Sequence, residues 1–276
     1  MGESHHAIRM MGEYTAPGRL HQCYSFEMMG YDYSPAFFRS KIEEFFRGAP
    51  DGWPMWAFSN HDVVRHATRW AKHGISQDAL ARQAGALILS FQGSICLWQG
   101  EELGQTDTEL ALEELTDPQG INFWPEPVGR DNTRTPMVWD NSANGGFTGG
   151  NGTPWLPVKP PQLARNVAAQ AGIAGSVLES YREMLAFRRT TDVLHGRAAT
   201  RFLDLPDPVL GFVRGEGADA VLCMFNLSPR TVNLQETGLD AQVGPAQNLS
   251  FKAGKLELGP NAYGFFRLRP GFTLTL

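Results

Sequence analysis

A chain of 276 residues, 42% hydrophobic and 19% charged, is long enough to bury one large core or two smaller ones and carries no signature of disorder. Its formal net charge of -5, with acids and bases interspersed, leaves no basic tract for a phosphate backbone and no polybasic run beside a bilayer, which excludes nucleic acid and membrane surfaces as partners. No apolar run reaches the roughly 18 residues of a membrane span. Residues 1–11 hold no apolar export core, and Cys23, Cys96 and Cys223, far apart and each in an apolar run, read as buried thiols of a cytoplasmic protein.

From residue 20 to residue 190, short apolar runs alternate with helical patterns, the mark of strand-helix-strand units and a parallel sheet. Residues 20–29 read as the first strand. Ser34 then offers an N-cap and Pro35 a first helical residue for a helix that Gly48 ends, with Phe37, Phe38, Ile42, Phe45 and Phe46 turned to the sheet. Residues 53–59 are the next strand. Ser76 caps a second helix whose Leu80, Ala84, Leu87, Ile88 and Phe91 recur on one face, and residues 94–98 follow as a third buried strand. Residues 104–161, rich in Gly, Pro, Asn, Asp and Trp, have no sustained period, and a loop so long is usually functional. A third helix covers residues 175–189, with Val177, Leu178, Tyr181 and Leu185 as its clear face.

After residue 191 the pattern changes to short β runs at 200–205, 209–214, 220–227, 231–234, 248–251 and 262–268, separated by turn signals. Residues 1–190 are therefore expected to be α/β and residues 191–276 an antiparallel β domain. Three parallel strand units do not close a barrel, and an open sheet of three would leave apolar edges uncovered. Further strands are expected from an upstream segment or from another chain.

The strongest local signal is Phe58-Ser59-Asn60-His61-Asp62-Val63-Val64-Arg65-His66, where an apolar strand runs into a polar cluster. In a barrel of parallel strands the C-terminal strand ends line the active site, so a His-Asp pair there is placed to meet a substrate. By chemistry alone, His61 and Asp62 fit an acid/base dyad, half of a metal site, or an N-cap for the next helix. A metal needs further ligands at compatible spacing, and none is identified.

Phe-Ser-Asn-His-Asp resembles the fourth conserved region of the α-amylase superfamily of glycoside hydrolases. Three further stretches match its α-glucosidase branch in chain order. Glu13-Tyr14-Thr15 with Arg19-Leu20-His21 and Tyr24-Ser25-Phe26 resembles the approach to the sixth barrel strand, and the run from Gly93 through Trp98-Gln99-Gly100-Glu101-Glu102 to Gly104 resembles the eighth strand and its exit. Gly129-Arg130-Asp131-Asn132-Thr133-Arg134-Thr135-Pro136-Met137-Val138-Trp139, with Gly146-Phe147-Thr148 and Pro154-Trp155-Leu156-Pro157, is similar to the loop after that strand.

The resemblance implies the last three strand units of a (β/α)₈ TIM barrel, an antiparallel C-terminal β domain, and retaining hydrolysis of α-glucosidic bonds in small oligosaccharides. Such hydrolysis needs a nucleophilic Asp after strand four and a general-acid Glu after strand five. It implies that Asp62 stabilises the transition state, that His61 and Asp62 grip hydroxyls of the cleaved glucose, that Arg130 reaches the same sugar, and that Phe147 shapes the leaving-group side. No redox or organic cofactor is implied; the structural Ca²⁺ or Mg²⁺ common in relatives uses an upstream loop, and no metal site is read here.

The chain departs from the family in lacking any Arg-x-Asp nucleophile motif. Met1-Gly2-Glu3 resembles the Gly-Glu that ends strand five, but the distance to His61-Asp62 is short, which makes Glu3 the second acid of that motif with the general acid upstream. Trp98 stands where tyrosine is more usual. The chain alone is accordingly expected to be inactive and to need a missing N-terminal barrel half. Alternatives are a transglucosylase or isomerase of the trehalose synthase or sucrose isomerase type, or a non-catalytic truncated product or split-barrel subunit. Glu101 and Glu102 are expected to be structural, and Arg134 to be an ion pair that organises the loop.

Overall fold

The computed structural model describes residues 6–149, 152–252 and 254–275. Glu3 lies outside them. After helix α1 (Ala7–Tyr14), strands β1 (Cys23–Tyr24), β2 (Pro54–Trp56) and β3 (Ser94–Ile95) pair in parallel in the order β1-β2-β3, with Cys23 opposite Pro54 and Met55 opposite Ser94. Each strand lies inside an apolar run read as a strand but is shorter than it. Hydrophobic runs do not report ladder pairing: Ala57 and Phe58 are buried beyond the end of β2, and in the first run Met28 and Met29 are buried outside β1 while Leu20 and Phe26 are exposed.

Two helices start where the caps Ser34 and Ser76 predict, and a third starts at a cap not read from the sequence, Ser176. Ser34 accepts from Phe37 N at the head of α2 (Pro35–Gly48), Ser76 from Ala79 N at α4 (Gln77–Ile88), and Ser176 from Glu179 N at α8 (Val177–Thr190). Short α3 (His66–Arg69) follows β2. On α8 the buried stripe is Val177, Leu178, Tyr181 and Met184; Leu185, expected on this face, is 45% exposed. The i, i+4, i+7 rhythm from Val177 selects Met184, and Leu185 sits one position too far round. Gly85 lets the two helices touch, since a Cβ there would lie 2.5 Å from the Tyr181 ring. The described residues of 104–161 hold turns, short 3₁₀ segments and α5 (Pro118–Asn122) but no strand, and lead into α6 (Pro160–Leu163) and α7 (Val167–Gln170).

Beyond α9 (Asp192–His195), a second sheet contains β4 (Thr200–Phe202), β5 (Val209–Arg214), β6 (Val221–Asn226), β7 (Val232–Gln242), β8 (Gln247–Lys252) and β9 (Lys255–Thr275), in the order β4-β5-β6-β9-β7 with β8 also on β9. β4, β5, β6 and β9 run antiparallel in turn. Every residue of β5 and β6 is buried, because both faces of these central strands are covered. One face, with Phe212, Cys223, Phe225 and Phe265, joins the same core as Phe38, Phe58 and Trp70 of the α/β part. The other packs Val213, Leu222, Met224, Leu256 and Phe266 into a cluster of its own. Between the sheets, Tyr33 Oη donates to Gln83 Oε1 at 2.7 Å, and Gln83 Nε2 donates to the carbonyls of Asn226 and Ala262.

No helix among the described residues is long and apolar enough to cross a membrane. Cys23, Cys96 and Cys223 form no disulfide; Cys23 and Cys223 are buried and Cys96 partly so.

Candidate functional site

Past β2 the chain turns outward through residues 59–65 and returns as α3. Buried Ser59 closes this turn, its Oγ accepting from His66 N at 2.8 Å and lying 3.0 Å from His66 Nδ1. Asn60 Oδ1 accepts from Asp62 N at 2.8 Å, a local Asx turn that lifts His61 and Asp62 to the surface. Both are partly exposed, with 57% and 40% of their side-chain surface open.

Two guanidinium groups and an imidazole nitrogen converge on the Asp62 carboxylate. Arg134 Nη2 donates to Oδ1 at 2.8 Å, Arg130 Nη1 lies 3.4 Å from the same oxygen, and His61 Nε2 is 3.3 Å from Oδ2. Arg134 also donates from Nε to the His61 carbonyl at 2.7 Å. The ion pair expected to organise the loop therefore falls on Asp62 itself.

The main partner of Arg130 is Asp117. Arg130 donates to it from its backbone N at 2.9 Å, from Nε at 3.1 Å and from Nη2 at 3.2 Å, so the fork grips one carboxylate and turns its remaining nitrogen to Asp62. The Arg130 guanidinium holds the Asp117 carboxyl down at about 2, below the ordinary value of about 3.9. A lowered carboxyl stabilises the fold above about pH 4 and loses that contribution as pH falls toward 2. Wild type should thus melt higher than Asp117→Asn at pH 6, and the gap should close near pH 2 in paired thermal scans; a gap unchanged over that range would refute the assignment.

Beside this cluster lies a cavity of about 490 Å³ lined by His61, Trp98, Gln99, Arg134, Thr135, Met137, Phe147 and Trp155. Phe147 and Trp155 meet edge to face at 5.0 Å, and Trp155 Nε1 donates to the Arg134 carbonyl at 2.9 Å. The Trp98 ring faces His61 at 5.8 Å. Hollows of about 640 Å³ beside α8 and 840 Å³ on the second sheet border neither His61 nor Asp62.

Structure thus brings His61, Asp62 and Arg130 together and sets Phe147 on the cavity wall with His61. Sequence reasoning missed Asp117, Trp155 and the contact of Arg134. A signal for Arg134 was present: it stands four residues after Arg130 within the same stretch, Gly129 to Trp139. Of the two neighbouring acids, Glu102 accepts from Gly100 N at 2.7 Å, while buried Glu101 lies 3.5 Å from His66 Nδ1. Burial raises the Glu102 carboxyl above its ordinary range. No group of three His, Cys, Asp or Glu side chains suited to a metal occurs among the described residues.

A carboxylate gripped by two guanidinium groups keeps a lone-pair side for hydroxyl donors or a developing positive charge. Aromatic walls beside it suit the C–H faces of a ring-shaped polar ligand.

Comparison with known proteins gives the same direction. The α-amylase catalytic domain matches residues 12–196. The chain is 44% identical over 230 residues to a probable α-glucosidase of Rhizobium meliloti, covering 83% of this chain and 41% of that protein. It is 29% identical to an oligo-1,6-glucosidase of Heyndrickxia coagulans, with 83% and 47% covered. A crystal structure of an α-glucosyl transfer enzyme, XgtA, superposes with a TM-score of 0.82 at 41% identity, over 95% of this chain and 49% of that one. The trehalulose synthase MutB of Pseudomonas mesoacidophila shares the fold, with a TM-score of 0.79 at 23% identity. The chain spans about half the length of the curated relatives it matches. It belongs to the α-amylase family of glycoside hydrolases.

Proposed function

We propose that this chain supplies the sugar-gripping and charge-stabilising wall of a retaining α-glucosidase acting on small α-glucosides in the cytoplasm. In this reading β1, β2 and β3 are the last three strands of a (β/α)₈ barrel that occupies residues 1–190, residues 191–276 form the C-terminal β domain, and a nucleophile-bearing N-terminal half completes the barrel. The observation that carries it is the Asp62 carboxylate at the exit of β2, fixed by Arg134, Arg130 and His61 beside an aromatic cavity.

Asp62 and His61 hold hydroxyls of the glucose at the cleaved bond, and the anionic Asp62 favours its oxocarbenium-like transition state. Arg130 reaches the same sugar through the nitrogen it does not spend on Asp117. Phe147, with Trp155, bounds the leaving-group side.

The test is reconstitution. The 276-residue chain alone should not hydrolyse p-nitrophenyl α-glucoside, because it carries no Arg-x-Asp nucleophile motif to form the glycosyl-enzyme. Fused behind the N-terminal part of the Rhizobium meliloti relative, it should release nitrophenol. Turnover by the pure chain alone, or a folded fusion with none, would overturn the reading.

A second reading, glucosyl transfer, is favoured by the 41% identity to an α-glucosyl transfer enzyme. It shares every role above except that of the acceptor. Adding hydroquinone to the fusion separates them: transfer gives a glucoside in place of free glucose.

A further inference from the structure

We propose that Arg65 is the positioning residue of the Asp62 site, one buried guanidinium that fixes the three segments carrying His61–Asp62, Trp98–Gln99 and Arg130–Arg134 relative to each other. This rests on the reading of Asp62 as a sugar-binding carboxylate, and it assigns a role to a residue that does not itself line the cavity.

Arg65 is 2% exposed. Its Nη1 donates to the Gln99 carbonyl at 2.6 Å and its Nη2 to the Thr133 carbonyl at 3.0 Å, while its backbone N donates to Asp107 Oδ1 at 2.7 Å. The two carbonyls stand 34 and 68 positions away in sequence; the first belongs to Gln99 of the cavity wall, and the second precedes Arg134 of that wall. Trp98 Nε1 shares the Thr133 carbonyl at 3.1 Å. Thr133 Oγ1 in turn donates to the Asn60 carbonyl, and Arg134 reaches back to His61 and Asp62. The result is a closed circuit: Asp62 to Arg134, Thr133 to Arg65, and along the chain back to Asp62.

Two further observations favour a fork at this position over any cation. The guanidinium spends its two terminal nitrogens on neutral carbonyls from separate segments, a geometry that a point-like ammonium does not reproduce. Gly100, at φ +90°, leaves room for it, since a Cβ there would sit 3.1 Å from Arg65 Nη1. Burial disfavours the Arg65 charge, and the negative charge of Asp107, Glu101 and Glu102 around it offsets part of that cost without consuming either carbonyl contact. Asp62, Trp98 and Arg134 are thereby held at fixed separations before any ligand arrives.

Solvent exchange of tryptophan indole and arginine Nε protons, in the full chain labelled with ¹⁵N-Trp and ¹⁵N-Arg, tests this. In Arg65→Met, the Trp98 Nε1 and Arg134 Nε protons should exchange about tenfold faster or more, while the Trp56 Nε1 proton, bonded to the Gln92 carbonyl at 2.8 Å in the core, keeps its wild-type rate. Arg65→Lys should restore neither rate fully. Unchanged Trp98 and Arg134 rates, equal acceleration of Trp56, or a Lys variant indistinguishable from wild type would each overturn the proposal. Should Arg65→Met not fold, the wild type decides: two resolved, slowly exchanging Arg65 Nη signals are expected, and a single averaged signal refutes the fork. In the fusion enzyme, Arg65→Lys should lower kcat with little change in KM. A wild-type fusion without turnover would sink the sugar reading alone, because the exchange rates report the scaffold whatever the ligand.

Discussion

In the reconstituted fusion enzyme, Asp62→Asn should lower kcat on the order of 10³-fold, about 4 kcal/mol of transition-state stabilisation, while KM changes far less. Asparagine keeps the shape and one acceptor but removes the charge, and an anion beside a developing oxocarbenium ion is worth most at the top of the barrier. The loss has a second source. Arg134 and Arg130 would then face a neutral amide, and Arg134 also supports the His61 backbone, so His61 loosens with it. His61→Ala leaves the charge in place and should cost less, on the order of 10²-fold. Steady-state kinetics with p-nitrophenyl α-glucoside checks both, and a wild-type kcat in Asp62→Asn would remove the role assigned to that carboxylate.

Phe58→Ala should destabilise the chain by about 3–5 kcal/mol in chemical denaturation, more than Phe58→Leu, which fills most of the same space. Phe58 is 1% exposed and packs against Phe38, His66, Trp70 and Phe91, with the Trp70 ring only 4.9 Å away. Its ring also stands one residue before Ser59, whose hydroxyl closes the turn carrying His61 and Asp62. Domains are stable by only about 5–15 kcal/mol, so the variant would use up much of the margin. A midpoint shift no larger for Ala than for Leu would mean that neighbouring rings collapse into the space.

Much of this arrangement was legible because it is written in local chemistry. Caps at Ser34 and Ser76 mark helix starts within one residue, since a hydroxyl at an N-cap answers a need of the next turn alone. The strand runs were legible as buried segments but not as ladders. Pairing length depends on neighbours that a single run does not contain. At the site, His61 and Asp62 stood out because a strand ends beside them. Asp117 did not, for its meaning arises only when Arg130 folds back across 13 residues to meet it. Leu185 and Met184 show the same limit on a smaller scale, where one position of helix rotation decides burial and both residues are apolar.

The contact of Gln83 with the backbone of Asn226 and Ala262, set in a core that runs from Phe38 to Phe265, has a consequence for recombination. A chimaera that exchanges residues 191–276 with those of a relative would look clean at its seam, where the backbone passes through α8 and α9 at the surface. Its mismatches would surface elsewhere, at an amide in the middle of α4 left without its two acceptors and at aromatic rings fitted to a different partner. The chain is therefore expected to lose its structure in one transition rather than two, and inheritance of the second sheet is tied to that of the helix beneath it.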